Sequence, residues 1–199
     1  DLLTSDSSID VRQAAAEDLA RFTLLAELEH LDEETASQLR ARLREVVQDT
    51  NQAPRVRGTA LAALGYFSDV ENAEELAAGF SDPDLRLGAV RAMGRSADPR
   101  WTDRLMPVLG SDDSDLRLAA AQALGEIEDE RAVTPLLELV DDQVTEVRLA
   151  VIGALGQIGG EDAREALLYL AETPEDQVRE AAEKALEDLE AAEGDPMEL

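Results

Sequence analysis

Apolar and small residues return along this chain in a ten-residue block. It begins with Val or Leu, follows with Arg, and places further apolar or small residues at positions 5, 8 and 9. It reads Val11-Arg12…Ala15…Leu19, Val56-Arg57…Ala60…Ala63-Leu64-Gly65, Leu85-Arg86…Ala89…Ala92-Met93-Gly94, Leu116-Arg117…Ala120…Ala123-Leu124-Gly125, Val147-Arg148…Val151…Ala154-Leu155-Gly156 and Val178-Arg179…Ala182…Ala185-Leu186-Glu187. Positions 1, 5, 8 and 9 fall on one stripe of a 3.6-residue helix. The Arg residues step by 45, 29, 31, 31 and 31, and a fixed period of that length marks stacked repeats. Small Ala at positions 5 and 8 lets helices approach closely. The Gly at position 10 predicts a helix stop. Asp82-Pro83 and Thr173-Pro174 predict helix starts, with a capping oxygen before a Pro at the first helical position, and Thr173 with Asp176 approximates a capping box. Between blocks lie second helices with their own apolar residues, such as Leu136, Leu137 and Leu139, or Ala166, Leu167, Leu168 and Leu170. Each unit is therefore a helical hairpin. No segment sustains the alternation of a strand, so the expected fold class is all-α, an α-α superhelix or α-solenoid of about six hairpins.

The pattern V-R-x-x-A-x-x-A-L-G, followed in the fourth block by Glu130-Arg131-Ala132-Val133-Thr134-Pro135-Leu136-Leu137, resembles the HEAT-like repeats of the phycobilisome-lyase family. The resemblance covers nearly the whole chain and is strongest from Ser81 to Leu189. It implies an α-solenoid whose block helices line the concave side, and it says little of function, because the module serves many unrelated proteins. The ends depart from the family pattern. The first block has Asp18 and Ala20 where the family has Ala and Gly, and its long step implies a helix extended through Phe22, Leu25 and Leu28. The last has Glu187 in place of Gly and runs on to Gly194-Asp195-Pro196. Both fit the polar caps that a solenoid needs. One solenoid domain, 1–199, is expected, with an atypical first unit at 1–50, regular repeats at 51–160 and a capping repeat at 161–199. Because it opens mid-pattern at Asp1-Leu2-Leu3, the chain is expected to be an excerpt of a longer protein.

Charge changes this picture most. The 199 residues carry 45 Asp and Glu against 18 Lys and Arg, a net charge of −27, and Lys184 is the sole lysine. Area scaling puts neighbouring carboxylates about 14 Å apart, while the Debye length is about 8 Å at physiological salt and about 3 Å at 1 M. Acidic, Lys-poor and Cys-free, the chain resembles proteins of extreme halophiles, where charge maintains solubility at the cost of self-repulsion. The rival explanation is an acidic face that meets a basic partner. Absence of Cys, with His30 the lone His, rules out disulfides, cysteine nucleophiles, thiolate sites and zinc sites of two or more His. A pI near 4.1 argues against a basic nucleic-acid footprint. No apolar run reaches the roughly 18 residues that would span a bilayer. A soluble, cytoplasmic protein is expected.

Several constellations could carry chemistry. The Arg ladder at position 2 (Arg12, Arg57, Arg86, Arg117, Arg148, Arg179) could be a rail for an anionic ligand. We read it as structural, each Arg pairing with a carboxylate in a neighbouring turn, such as Asp82, Asp113, Asp142 or Glu175, because the planar guanidinium suits a partly buried carboxylate. Position 3 supplies Leu87, Leu118 and Leu149 on a face turned away from the core stripe. Around them position 7 brings Arg91, Gln122 and Gly153, and the residue before each block brings Asp84, Asp115 and Glu146. This is either a groove with a leucine strip and an acidic rim or ordinary core between closely packed helices. Gly153-Ala154-Leu155-Gly156-Gln157-Ile158-Gly159-Gly160 is a helix stop and turn rather than a phosphate loop, since no strand precedes it and no Lys follows. The acidic clusters Asp112-Asp113-Ser114-Asp115 and Asp141-Asp142 lack calcium-loop spacing and read as solvated caps. His30 is not expected to be catalytic, and Trp101 is a core plug or a local contact point.

Three classes of function compete. Di-iron hydroxylases of helical-repeat architecture need several His-Glu pairs, which the sequence lacks, and the DNA-glycosylase branch needs a basic concave face. The expected function is thus a non-enzymatic scaffold that binds a partly apolar, partly basic protein or peptide segment on its concave helix face, through Asp84, Leu87, Arg91, Asp115, Leu118, Gln122, Glu146 and Leu149. Neither cofactor nor metal is expected, nor nucleic acid or membrane insertion. The alternative is a bilin-lyase-like enzyme or enzyme subunit.

Overall fold

The computed structural model describes residues 6–27, 32–67 and 70–194. Among them the regular elements are all helical. The chain divides into two compact units, Asp1–Ser96 and Ala97–Leu199.

The first unit carries α1 (Ile9–Glu27), α2 (Glu33–Gln48), α3 (Pro54–Leu64), α4 (Val70–Ser81) and α5 (Arg86–Arg95). The block helices α1, α3 and α5 pack side by side in one layer, with α2 and α4 as a second. Their small residues make this possible. Ala60, Ala63, Ala89 and Ala92 are fully buried, and so are the larger Leu43, Val46 and Met93, with Leu76 only 1% exposed. The closest approach is at Gly58 and Gly88, where a Cβ on Gly88 would stand 2.2 Å from the Gly58 carbonyl oxygen. Asn72 of α4 closes α3 by donating from Nδ2 to the carbonyls of Leu64 and Phe67, each at 2.7 Å.

In the second unit, short turns of 3-10 helix at Pro99–Trp101 and Met106–Gly110 flank α6 (Thr102–Leu105), and another at Glu130–Ala132 precedes α8 (Val133–Leu137). These broken segments form the second layer with α10 (Glu161–Leu170), while α7 (Ser114–Ile127), α9 (Thr145–Ile158) and α11 (Asp176–Gly194) form the block layer. Pro107, which has no N–H to donate, stands in the first turn of its 3-10 segment, where none is needed. Ala120, Leu124, Val151, Leu155, Leu167 and Ala182 make the core.

α3 ends as expected, at Leu64 with Gly65 as its C-cap, whereas the helix boundaries in the second unit differ from expectation. α7 runs past Gly125 to Ile127 and α9 past Gly156 to Ile158. Their stops are Glu128, in the left-handed region at φ 57°, and Gly159 at φ 71°. Glycine at position 10 has a cause common to both units: a Cβ on Gly65 would lie 2.3 Å from the Ala92 carbonyl oxygen, on Gly125 2.8 Å from Ala154 Cα, and on Gly156 2.9 Å from Ala185 Cβ. In each case the opposing residue is position 8 of the next block, so the glycine lets two block helices touch. Gly159-Gly160 is the turn. Helix starts also move. Asp82 Oδ1 accepts from the Asp84 N–H at 3.0 Å in a turn, and α5 begins only at Arg86. Thr173 donates its N–H to the Leu170 carbonyl, closing α10, and α11 begins at Asp176.

Candidate functional site

The Arg ladder is anchored on backbone before it meets any carboxylate. Arg12, Arg86, Arg117, Arg148 and Arg179 each donate to the carbonyl six residues earlier, those of Asp6, Phe80, Ser111, Asp142 and Thr173. Arg57, after a longer connection, reaches the Val47 carbonyl at 2.8 Å. Phe80 and Val47 lie in the last turns of α4 and α2, where carbonyls have no partner within the helix and a cation is favoured. Pairing with the next turn is added in the second unit. Arg117 grips Asp142 with both arms, Nε to Oδ2 at 2.7 Å and Nη2 to Oδ1 at 3.0 Å, and Arg148 meets Glu175. The Arg117 and Asp142 side chains keep only 16% and 9% of their exposure. Asp142 is therefore no solvated cap, and the guanidinium of Arg117, aided by the Val144 N–H, holds its carboxyl below the usual carboxylate range. Asp113 does cap, accepting from the Asp115 N–H at 2.9 Å. No ion pair joining the ladder to Asp82 or Asp113 is seen among the described residues. Asp129 is held at about 2 chiefly by Arg131, with help from the buried Thr102 hydroxyl at 2.8 Å.

Four residues expected at a binding face come together in the second unit. Leu118, Gln122, Glu146 and Leu149 line an open groove of about 750 Å3 between α7 and α9. Ala150, Gly153, Ala154 and Gln157 continue its α9 wall, Glu126 continues the α7 wall, and Asp188 enters from α11. Leu118 and Leu149 are half-buried, an apolar floor that is neither closed core nor free surface. Three carboxylates and two carboxamides border it, and no basic residue does. Asp115 is exposed in the first turn of α7, outside the lining. In the first unit, Asp84 and Arg91 are exposed and Leu87 is half-buried on α5.

Glu126, Gln157 and Asp188 all stand at position 11 of their blocks, one turn beyond position 7. A helix end at the position-10 glycine would leave Glu126 and Gln157 outside the helices, which is why the sequence pattern does not reveal them, whereas Asp188 follows Glu187 in a helix expected to run on. In the first unit the same position holds Tyr66 and Arg95, whose guanidinium lies 5.2 Å from the Tyr66 ring centroid. A second groove there, of about 510 Å3, is bordered by Arg44, Arg57, Glu74, Glu75 and Asp82. Arg44 donates to Glu75 across it at 3.2 Å. It involves the irregular α2 and α4, where no repeat pattern pointed to it.

Trp101 is 7% exposed and is core, with the Arg104 guanidinium 5.7 Å from its ring centroid. His30 lies outside the described residues. No group of three or more His, Cys, Asp or Glu among the described residues is placed to hold a metal ion, and no helix there is long and apolar enough to cross a membrane.

The same fold is found in solved structures. Two engineered proteins superpose with TM-scores of 0.59 and 0.58, at 22% and 21% identity, over 96% of this chain and 96% and 94% of theirs. A designed armadillo repeat protein, solved in complex with the peptide (KR)4, superposes at a TM-score of 0.57 and 18% identity, over 94% of this chain and 96% of its own. No curated protein matches the sequence. HEAT repeats match residues 73–147 and 139–187, together more than half of the chain. Within each unit the hairpins stack block helix on block helix, and this chain belongs to the HEAT-repeat family.

Proposed function

We propose that the chain is a non-enzymatic interaction scaffold that holds a partly apolar, cationic protein segment against its layer of block helices. The observation that carries this is the groove between α7 and α9, with its half-buried leucine floor and a border that has carboxylates and no base. An apolar floor open to solvent costs free energy until something covers it, and the one-signed border favours a cationic occupant. The designed armadillo protein of similar fold, bound to (KR)4, supports a basic peptide as a fitting partner. Leu87, with Asp84 and Arg91, offers a further contact region on α5, and Asp115 flanks the start of α7. We place the protein in a cytoplasm of high salt, as a HEAT-like relative of the phycobilisome-lyase repeats.

The test is a photo-crosslinking residue at position 122, activated in high-salt extract of the source cells, with adducts mapped by mass spectrometry. Adducts to one cationic segment, lost in the double variant Leu118→Glu, Leu149→Glu, are expected. Adducts that survive in that variant, or that form equally from exposed position 134 on α8, would overturn the proposal.

A further inference from the structure

The α9 wall of the groove carries a pattern that selects the shape of its occupant. When helices pack, a side chain of one seats in a hole framed by four residues of the other, at i, i+3, i+4 and i+7. Glu146, Leu149, Ala150 and Gly153 make one such frame, and Ala150, Gly153, Ala154 and Gln157 make the next. The frames share two small residues, and a Cβ built on Gly153 meets nothing within 4 Å. On the facing wall Leu118, Gln122 and Glu126 follow one another at i, i+4 and i+8, so both walls run along their helices. The groove spans about 17 Å from Glu146 to Gln157, about three turns of an occupant helix. The floor residues Leu118, Leu149, Ala150, Gly153 and Ala154 present no polar side chain, which leaves an extended backbone only the border carboxamides of Gln122 and Gln157 as partners for a run of N–H and C=O groups, whereas a helix satisfies its own.

We infer that this groove takes an amphipathic α-helix. Its apolar side chains, four residues apart, fill the two frames on α9. Lys or Arg on its flanks face Glu146 near one end and Glu126 and Asp188 near the other, the placement that a border of three carboxylates and no base requires. This rests on the scaffold reading above and adds the conformation and register of the bound segment.

The test uses the full chain and three synthetic peptides of about 18 residues, long enough to form helix. One has Leu at four-residue spacing with Lys on the flanks. The second carries two central prolines, and the third has Glu in place of Lys. Titrations are read by fluorescence anisotropy at a salt concentration where circular dichroism reports full helicity. The helical Lys peptide should bind, with the Pro and Glu peptides at least about tenfold weaker, as expected for loss of a packed anchor or of charge complementarity. Gly153→Leu, which grows into open space on a helix, should weaken binding by at least about tenfold with melting temperature equal or raised, since leucine is the better helix former. Gly153→Ala supplies a second folded variant, with a smaller loss. Equal binding of the Pro peptide overturns the helical assignment and leaves the scaffold reading to its crosslinking test. Binding untouched by Gly153→Leu, or no binding of the Lys peptide, overturns it as well. A dimer of the chain alone, dispersed by Gly153→Leu in sedimentation, assigns the groove to a second copy and likewise overturns it.

Discussion

At the residue scale, the arginine at position 2 of each block serves a need that recurs with the repeat. A preceding segment ends with carbonyls that lack partners, and the guanidinium donates to one of them, six residues back in five blocks and ten residues back for Arg57. Arg117 is the member with most to lose, because the same side chain also grips the nearly buried Asp142. Arg117→Ala should cost about 2 to 4 kcal/mol, since it strands a buried carboxylate. Arg179→Ala, whose partner Asp176 is 78% exposed, should leave the urea midpoint near that of the wild type. The pH dependence follows from the lowered pKa of Asp142. A carboxylate whose folded pKa is depressed contributes stability that is complete above its unfolded value and is lost as pH falls through the folded one. The acid limb of the stability curve, below about pH 4, should therefore be shallower in Arg117→Ala. Urea midpoints across that range measure it, and an unchanged midpoint at pH 7 would contradict a structural role for Arg117.

At the element scale, three helical glycines are expected to respond in opposite ways to one substitution. By helix propensity alone, Gly→Ala stabilises by about 1 kcal/mol. At Gly153, with open space around it, that gain should appear in full. At Gly125 and Gly156 the new methyl would meet Ala154 and Ala185 at under 3.0 Å, and overpacking of about 1 to 3 kcal/mol should outweigh it. Equal stabilisation of all three by thermal melting would show that the block helices do not depend on close approach. These glycines also mark what the sequence could reveal. The period, the apolar stripe and the hairpin organisation were legible, because burial along positions 1, 5, 8 and 9 recurs from the second block on, with Leu116 and Leu186 half-buried, while the first block leaves Val11 exposed. Whether Gly125 ends a helix or makes room for its neighbour was not, because the deciding contact, Ala154, is 29 residues away. That one ambiguity hides Glu126 and Gln157, while Leu118, Gln122, Glu146 and Leu149 follow from helical periodicity together with the resemblance that puts block helices on the concave side. Asp82-Pro83 was displaced for a related reason. An Asp before Pro stabilises a turn as readily as a helix start, and local sequence does not choose between them.

At the scale of the whole molecule, the groove accounts for little of the acidity. Glu126, Glu146 and Asp188 are three of 45 carboxylates. Others act as turn and cap residues, such as Asp49, Asp82, Asp98 and Asp113, and the exposed ones are spread over both units. A charge needed only to hold a basic segment would be gathered where the segment lies. A net charge of −27 distributed over the surface instead acts on the chain's own stability through mutual repulsion, which salt relieves. The buried Arg117–Asp142 pair is screened much less than exposed charges, so salt should raise stability without removing that pair. Helicity and the urea midpoint are therefore expected to fall as salt drops below roughly 0.5 M, where the Debye length exceeds about 4 Å, and to recover when salt is restored. Circular dichroism across a KCl series at neutral pH decides between the two explanations. Full helicity with an unchanged midpoint in dilute buffer would refute adaptation to salt and assign the acidity to partners across the surface, well beyond the groove between α7 and α9.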